Sequence, residues 1–280
     1  MQAPEQAELA HAGFPNQPPD TTTRRARSHD RWGDQQSRFA PPLSSTWGDS
    51  RSAITDRFMV VLPDLRGYGR SVCKDPARYT WAQYVEDVMW LLDHIGLSSA
   101  VLAGAGLGST ITLRTAAAYP DRVRAAVLIG VEDMEDDEAK QAEIRFLDAF
   151  AARVEADGIE AGWEPILAGF PPVVGAMVRD AIPRSDPASI VAAATIGHDR
   201  SFRSVDELAT ITVPTLIFPG TDPRHPTALA EEAADTLPNG QLATIPIGDD
   251  LQTAVDLARA TAPAIREFLT RSVPPVISTG

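Results

Sequence analysis

The stretch Ala100-Val101-Leu102-Ala103-Gly104-Ala105-Gly106-Leu107-Gly108 decides the fold, because it joins an apolar run to a glycine-rich turn. The apolar residues at 100–103 predict a buried strand, and residues 110–118 are typical of a helix. The sequence therefore predicts a strand, a tight turn and a helix in succession, with Gly106 at the centre of the turn.

The alternation of strands and helices continues on both sides of this unit. Phe58–Leu62 is an apolar run ended by Pro63, which is typical of a strand buried on both faces of a parallel sheet. Residues 81–95 have helical periodicity, and Gly96 follows as a C-terminal stop. This βαβ order predicts an α/β fold with a mostly parallel twisted sheet flanked by helices. Further strands are predicted at 125–130, 215–219 and 241–245, and further helices at 226–237 and 253–271.

Residues 132–209 interrupt this alternation. They contain no predicted strand and four helical segments, which we interpret as a lid inserted in the core. Residues 1–45 are rich in proline, carry a basic patch and lack apolar periodicity, which is typical of a poorly ordered arm. The predicted domains are this arm, a core at 46–131 and 210–272, the lid at 132–209 and a tail at 273–280.

Bulk properties limit the classes of partner. The 280 residues carry a net charge of -13, which disfavours nucleic acid and anionic membrane surfaces as partners. A small molecule is therefore the expected ligand, without a cofactor or a metal. Cys73 is the single cysteine, and the sequence has no membrane-spanning run or secretory signal core. We predict a cytoplasmic protein, and the sequence leaves its oligomeric state open.

Several motifs together resemble the α/β-hydrolase family over roughly residues 40–270. Phe58–Leu62 followed by Pro63-Asp64-Leu65-Arg66-Gly67-Tyr68-Gly69-Arg70-Ser71 is similar to the family's strand and P-D-x-R-G-x-G-x-S loop. Residues 101–108 resemble the strand and the nucleophile elbow, G-x-S-x-G, and residues 213–222 resemble the strand that ends in the catalytic-acid loop. The resemblance implies an α/β-hydrolase fold and, for an active member, hydrolysis of a small ester- or lactone-like molecule.

Three parts of the catalytic machinery that the resemblance implies are substituted here. Gly106 occupies the nucleophile position and has no atom that could attack a substrate. Asp250 stands where the family has its histidine base, and a carboxylate there would repel the acid instead of being oriented by it. Phe39-Ala40 replaces the His-Gly of the oxyanion segment, upstream of Trp47. These substitutions predict impaired catalysis.

The resemblance ends abruptly upstream of Phe39. Hydrophilic residues 33–38 stand where the family has an apolar strand, so we expect one strand of the sheet to be missing. Our hypothesis is that residues 1–40 come from a shifted reading frame or a misplaced start. A buried strand followed by His-Gly in another frame of the coding DNA would support this hypothesis.

The remaining catalytic candidates are an aspartate and two histidines. Asp222 matches the position of the family's acid, and its alternative role is to hold a turn. His225 could serve as the base if its loop folds inwards, but a surface cap at the start of a helix is the alternative that the His-Pro pair favours. His198 could face the pocket from the lid, or be solvated there. His94 is expected to be structural, and Ser109 to pack inside the helix instead of attacking a substrate.

Candidate ligand contacts are Leu107 at the elbow and apolar residues of the lid, which could equally form the lid's own core. The acidic run Glu132–Glu138 is expected to be solvated and not to bind metal, because it lacks the spacing of a calcium loop. Glu132 alone is an alternative to Asp222 as the acid. The lid contacts that we predict are Trp163, Phe170, Pro171, Pro172, Val173 and Met177.

Three functions stay open on the sequence. The chain could activate water through Asp222 with His225 or His198, or bind a small molecule without chemistry. A dinucleotide-binding protein is the second reading, with Gly104–Ser109 as a degenerate phosphate loop and Glu132 or Asp133 on a ribose. The third glycine of that motif is a serine here, which argues against it. An interaction protein is the third.

Overall fold

The computed structural model describes residues 58–273 with their side chains and residues 7–10 by their backbone. The predicted oxyanion segment Phe39-Ala40, Trp47, most of the predicted arm and residues 274–280 lie outside the described residues.

Six strands in the described part of the chain form one sheet, and every pair of neighbours is parallel. The order across the sheet is β2-β1-β3-β4-β5-β6. Ala105 pairs with Ile129, and Ile129 pairs with Phe218, so β3, β4 and β5 end at the same edge. The loops that follow these three strands therefore meet above that edge. The strands are β1 Ala7–Ala10, β2 Phe58–Val61, β3 Ala100–Ala105, β4 Val123–Ile129, β5 Thr215–Phe218 and β6 Gly240–Leu242.

One strand was not expected. The sequence predicted no strand before Phe58, yet Ala7–Ala10 lies between β2 and β3, with Leu9 opposite Val101. The prediction of an unstructured arm is therefore wrong for these four residues. The reason is that Ala-Glu-Leu-Ala contains none of the β-branched or aromatic residues that indicate a strand.

Eight α-helices surround this sheet in the described residues. Helix α1 has the predicted bounds, because Thr80 accepts a hydrogen bond from the backbone N–H of Gln83 at its start, and Gly96 adopts a left-handed conformation at its end. The helices are α1 Trp81–Ile95, α2 Leu107–Ala118, α3 Asp137–Asp157, α4 Ile159–Leu167, α5 Pro172–Ala181, α6 Pro187–Ala193, α7 Thr227–Thr236 and α8 Ala254–Ser272.

The two faces of the sheet bury different side chains, as alternation along a strand requires. Leu102 and Leu128 pack with apolar residues of α1, α2 and α7 on one face. Val101 and Val127 pack with Leu257, Phe268 and Leu269 of α8 on the other. Each fully buried leucine or valine stabilises the fold by roughly 1.5–3 kcal/mol. The confirmed architecture is thus a parallel sheet between two helical layers.

Helices α3 to α6, with the short 3₁₀ helix Ala194–His198, form a helical insert between β4 and β5. The insert has its own apolar cluster, which includes Phe150, Val154 and Ile190. An isolated parallel β-bridge between Met134 and Phe202 joins the two segments that connect the insert to the rest of the chain. None of the helices in residues 58–273 is both long enough and apolar enough to cross a membrane.

The loop after β2 brings Tyr68 to the insert. Tyr68 donates its backbone N–H to Leu65 at 2.9 Å, and Arg66 forms a buried ion pair with Asp87, with Nε 2.7 Å from Oδ2. Removing one partner of such a buried pair typically lowers the free energy of unfolding by about 3–5 kcal/mol. The loop is therefore a rigid support for Tyr68.

Candidate active site

The turn after β3 has the shape of an elbow although it carries no side chain. Gly106 has φ 51° and ψ -119°, a conformation that residues with a Cβ rarely adopt. Its N–H donates to Ile129 O at 3.1 Å, and its carbonyl accepts the N–H of Ser109 at 2.7 Å. Helix α2 begins at Leu107, three residues before the predicted start at 110. The strained strand-to-helix turn is thus present without a nucleophile at its centre.

Asp222 and His225 lie together in the loop after β5. Nδ1 of His225 is 3.0 Å from both carboxylate oxygens of Asp222, and the two side chains are 14% and 6% exposed. His225 is therefore not the surface cap that the sequence favoured. Its ring fits inside because Gly130 and Gly220 leave room: a Cβ on either glycine would lie within 3.0 Å of the His225 side chain.

His225 faces the bare elbow with its second nitrogen. A Cβ built on Gly106 would lie 3.2 Å from Nε2 of His225 and 3.0 Å from Oε1 of Glu132. Nε2 has no hydrogen-bond partner among the described residues, and the nearest acidic oxygen, Oε2 of Glu132, is 3.5 Å away. The space that a nucleophile side chain would fill therefore lies between an imidazole and a carboxylate.

Arg224 forms ion pairs with two other elements beside this space. Its Nη2 is 2.9 Å from Oε2 of Glu132, which follows β4, and 3.2 Å from Oε1 of Glu143 on α3. The guanidinium carbon lies 5.4 Å from the ring centre of Phe146. Arg224 and Glu143 carry no signal in the sequence, because only the fold brings residues 132, 143 and 224 together.

The charges of these groups shift one another's protonation. Burial lowers the pKa of His225, but the hydrogen bond to Asp222 and the negative charges of Glu132 and Asp222 outweigh it and raise the pKa to about 10. Burial raises the pKa of Glu132, but His225 and Arg224 outweigh it and lower the pKa to about 2. Near neutral pH the site therefore contains an imidazolium beside a carboxylate.

The other predicted polar residues lie away from this centre. Asp250 is exposed and does not line the cavity, because the loop after β6 directs Ile247 inwards instead. Nε2 of His198 is 2.9 Å from Asp148 on the surface of the insert. His94 stacks on Trp90 with ring centres 4.9 Å apart. None of these three predicted candidates touches the elbow.

The dinucleotide reading does not fit the turn. Ser109 is fully buried and donates its hydroxyl to Gly104 O at 3.0 Å, so it packs inside the unit as the sequence predicted. The carboxylate of Glu132 lies directly beside Gly106. A phosphate over Gly104–Ser109 would meet this negative charge, which opposes anion binding there.

The acidic run Glu132–Glu138 is only partly solvated. The side chain of Glu132 is 11% exposed, so the expectation of a solvated run is wrong at its start, where the chain turns back over the sheet. Burial, and after it the charge of Glu132, raises the pKa of Asp133 well above its usual range. Carboxylate oxygens of Asp133, Glu135 and Glu143 lie within 4.8 Å of one another. Their partners are respectively Thr110, Lys140 and Arg224.

A cavity of about 320 Å³ lies between the carboxyl edge of the sheet and the helical insert. Its walls are mostly apolar, and Glu132, Asp222, Arg224 and His225 are among the polar residues that line it. Leu107, Trp163 and Phe170 line it, whereas Met177 packs instead against the apolar residues between the sheet and α8. Further lining residues are Tyr68, Trp81, Ile129, Phe146, Leu147, Phe150, Ile166, Val174, Val178, Ile190, Ile196 and Ile247.

Several known proteins with similar sequences are hydrolases. The chain is 34% identical over 91 residues to 2-hydroxymuconate semialdehyde hydrolase of Pseudomonas putida, a match covering 32% of each chain. It is 38% identical over 93 residues to an epoxide hydrolase of Caballeronia sordidicola, covering 32% of this chain and 28% of the relative. The matched stretch is thus about a third of the length of these relatives.

Solved structures match over nearly the whole chain. An esterase from Thermogutta terrifontis, with malate bound, superposes with a TM-score of 0.70 at 27% identity, covering 96% of this chain and 90% of that one. The enol-lactonase from Burkholderia xenovorans LB400 superposes with a TM-score of 0.69 at 21% identity, covering 96% of this chain and 92% of that one. This similarity shows the shared fold alone.

The family model described as alpha/beta hydrolase fold matches residues 11–160. The match begins well upstream of residue 40, so it includes much of the stretch that the sequence analysis interpreted as unlike the family. Because it covers more than half of the chain, the protein belongs to the α/β-hydrolase family.

Proposed function

We propose that the protein hydrolyses a small, largely apolar ester- or lactone-like molecule with a water that His225 activates above Gly106. The observation that carries this proposal is the position of His225. Its Nδ1 is 3.0 Å from Asp222, and its unbonded Nε2 faces the bare elbow. A water in that space replaces the side chain that Gly106 lacks.

The chemistry follows from these positions. Asp222 accepts a hydrogen bond from the Nδ1–H group of neutral His225. Nε2 is therefore the nitrogen that takes a proton from the water as the water oxygen attacks the carbonyl carbon. Leu107 opens helix α2, and the first N–H groups of a helix have no acceptor within it. We assign these N–H groups to the oxyanion. His225 then returns its proton to the departing alkoxide.

The protonation of His225 sets the working pH. With a pKa of about 10, only about one molecule in a thousand holds neutral His225 near pH 7. Hydrolysis by this route is therefore slow near neutral pH and accelerates as the pH rises.

The substrate class is supported by the cavity and by the relatives. The apolar walls suit an acyl chain or ring, and Asp222 and His225 line the same cavity, where a carbonyl would react. The helical insert, residues 137–198, serves as the lid in this proposal. We also propose a cytoplasmic location, with the net charge of -13 and the single buried cysteine, Cys73, in support.

The experiment is hydrolysis of short p-nitrophenyl esters and a lactone by the wild type, His225→Gln and Asp222→Asn. We expect both variants to lose at least about 100-fold of the wild-type rate. His198→Gln is the matched control, because His198 also pairs with an aspartate but is exposed and does not line the cavity. Wild-type activity that survives in His225→Gln would contradict the proposal.

A second candidate function is binding without turnover. It is favoured by the absence of a nucleophile at Gly106 and by the cationic state of His225 near neutral pH. Under this alternative, esters or lactones raise the melting temperature of the protein but are not hydrolysed at any pH. Measuring both quantities on the same panel separates the two functions.

A further inference from the structure

The guanidinium of Arg224 lies between two carboxylates that line the cavity. Glu143 accepts from both terminal nitrogens, with its Oε2 3.2 Å from Nη1 and its Oε1 3.2 Å from Nη2. Glu132 accepts from Nη2 at 2.9 Å and from Nε at 3.2 Å. Every nitrogen of the guanidinium therefore already donates to a carboxylate of the protein.

Glu143 reaches Arg224 from the helical insert. Phe146, Leu147 and Phe150 follow Glu143 on α3 at helical spacing, so one face of the helix presents all four side chains to the cavity. The ring centre of Phe146 lies 5.4 Å from the guanidinium carbon. The side chain of Glu143 is only 13% exposed. This face thus places a single charge, that of Glu143, against Arg224.

The cavity has an excess of negative charge although it contains an arginine. Among the described residues that line it, Arg224 and His225 are the only cations. Asp222 and Glu132 lie 3.0 Å and 3.5 Å from His225, and Glu132 and Glu143 flank Arg224. Three carboxylates therefore face two cations, and the apolar walls strengthen their field by excluding water. A ligand with an anionic group would be repelled there.

We propose that Glu143 is a specificity-determining residue, which restricts the cavity to uncharged ligands by occupying the nitrogens of Arg224 that would otherwise bind a carboxylate or sulfonate. This inference rests on the proposed function for the site that it describes. It adds the charge of the ligands that this site admits.

Removal of the Glu143 carboxylate would convert Arg224 into an anion site. Nη1 and one N–H group of Nη2 would lose their acceptor, since Glu132 accepts only from Nη2 and Nε. A guanidinium binds a carboxylate or sulfonate through two such parallel N–H groups. A hydrogen bond between charged groups is strong enough to tighten the binding of an anion by about tenfold.

Two fluorescent probes test this proposal without requiring turnover. Phenylnaphthylamine is neutral, and anilinonaphthalene sulfonate carries a sulfonate on the same ring system. Both probes fluoresce more strongly in an apolar cavity than in water. We expect the wild type to bind the neutral probe more tightly than the anionic one. In Glu143→Gln, the dissociation constant of the anionic probe should fall by about tenfold, and that of the neutral probe should stay within about twofold of the wild type.

Two further variants control for other effects of the substitution. Glu138→Gln makes the same change of charge on the same helix, at an exposed residue that does not line the cavity, and should bind both probes like the wild type. Adding Arg224→Gln to Glu143→Gln should abolish the gain, because the gain requires the guanidinium. An unchanged affinity of Glu143→Gln for the anionic probe, an equal gain for both probes, or the same gain in Glu138→Gln would overturn the proposal.

A second variant covers the possibility that Glu143→Gln does not fold. Glu143→Ala keeps a strong helix former on α3 and empties the space of the carboxylate beside Arg224, so it should show the same selective gain.

The probes also separate this inference from the proposed ester hydrolysis. If the wild type hydrolyses no ester but the probe affinities change as expected, only the proposed function fails. If it hydrolyses esters and the anionic probe gains nothing in either Glu143 variant, only this inference fails.

Discussion

Gly106 and His225 lie close enough that one added carbon would bring them into contact. A Cβ on Gly106 would lie 3.2 Å from Nε2 of His225, on a turn that already has the conformation of a nucleophile elbow. The histidine reaches this position from the loop after β5, only three residues after Asp222. Asp250, which the sequence analysis predicted at the family's histidine position, does not line the cavity.

Gly106→Ser should therefore create a covalent route without any change at Asp250. We expect a burst of p-nitrophenol as the serine is acylated, because its hydroxyl would lie within reach of Nε2. The double variant with Asp250→His should behave like the single variant, since residue 250 is exposed and does not line the cavity. Pre-steady-state absorbance measures the burst. A burst that appears only in the double variant would contradict this account of the base.

Glu132→Gln should speed ester hydrolysis near neutral pH. Glu132 helps to raise the pKa of His225, so its neutralisation lowers that pKa and increases the fraction of neutral imidazole near pH 7. This fraction rises by about tenfold for each unit that the pKa falls, and the rate rises by less, because an imidazole of lower pKa is a weaker base. Rates of p-nitrophenyl ester hydrolysis at pH 7 check this. A loss of activity in the variant would instead indicate that Glu132 maintains the structure of the site.

Stability should depend on pH through the same pair. The pKa of His225 is raised from 6.5 to about 10, so its contribution is complete below about pH 6.5 and is lost as the pH rises towards 10. The pKa of Glu132 is lowered from 4.5 to about 2, so its contribution is complete above about pH 4.5 and is lost in acid. Melting temperatures should therefore be highest between about pH 4.5 and pH 6.5. In His225→Gln the fall in melting temperature at alkaline pH should be smaller. An unchanged alkaline decline in that variant would contradict the assignment.

The sequence predicted most of the fold because the signals are local. Apolar runs ended by proline or glycine define β2 and β3, and the helix 81–95 ends at Gly96, the stop that the sequence predicted. The strand Ala7–Ala10 was missed because its residues have little strand character and only pairing with β2 and β3 identifies it.

The candidate site was less predictable because its contacts are distant in the sequence. Asp222 could be placed from its motif, but the inward turn of His225 depends on space left by Gly130 and Gly220, which no local pattern reveals. The same holds for Arg224, whose partners at 132 and 143 come from β4 and the helical insert. The alternation of apolar residues that locates strands carries no information about contacts between residues that are distant in the sequence.

The pH dependence of ester hydrolysis tests the central claim most directly, which is that His225 activates the water above Gly106. The rate of p-nitrophenyl butyrate hydrolysis, corrected for the buffer blank, is measured for the wild type and His225→Gln from neutral pH to about pH 10. The account predicts a wild-type rate that rises with pH and levels off near the His225 pKa of about 10, and a variant without this rise. A wild-type rate that is independent of pH, or a rise that persists in His225→Gln, would contradict it.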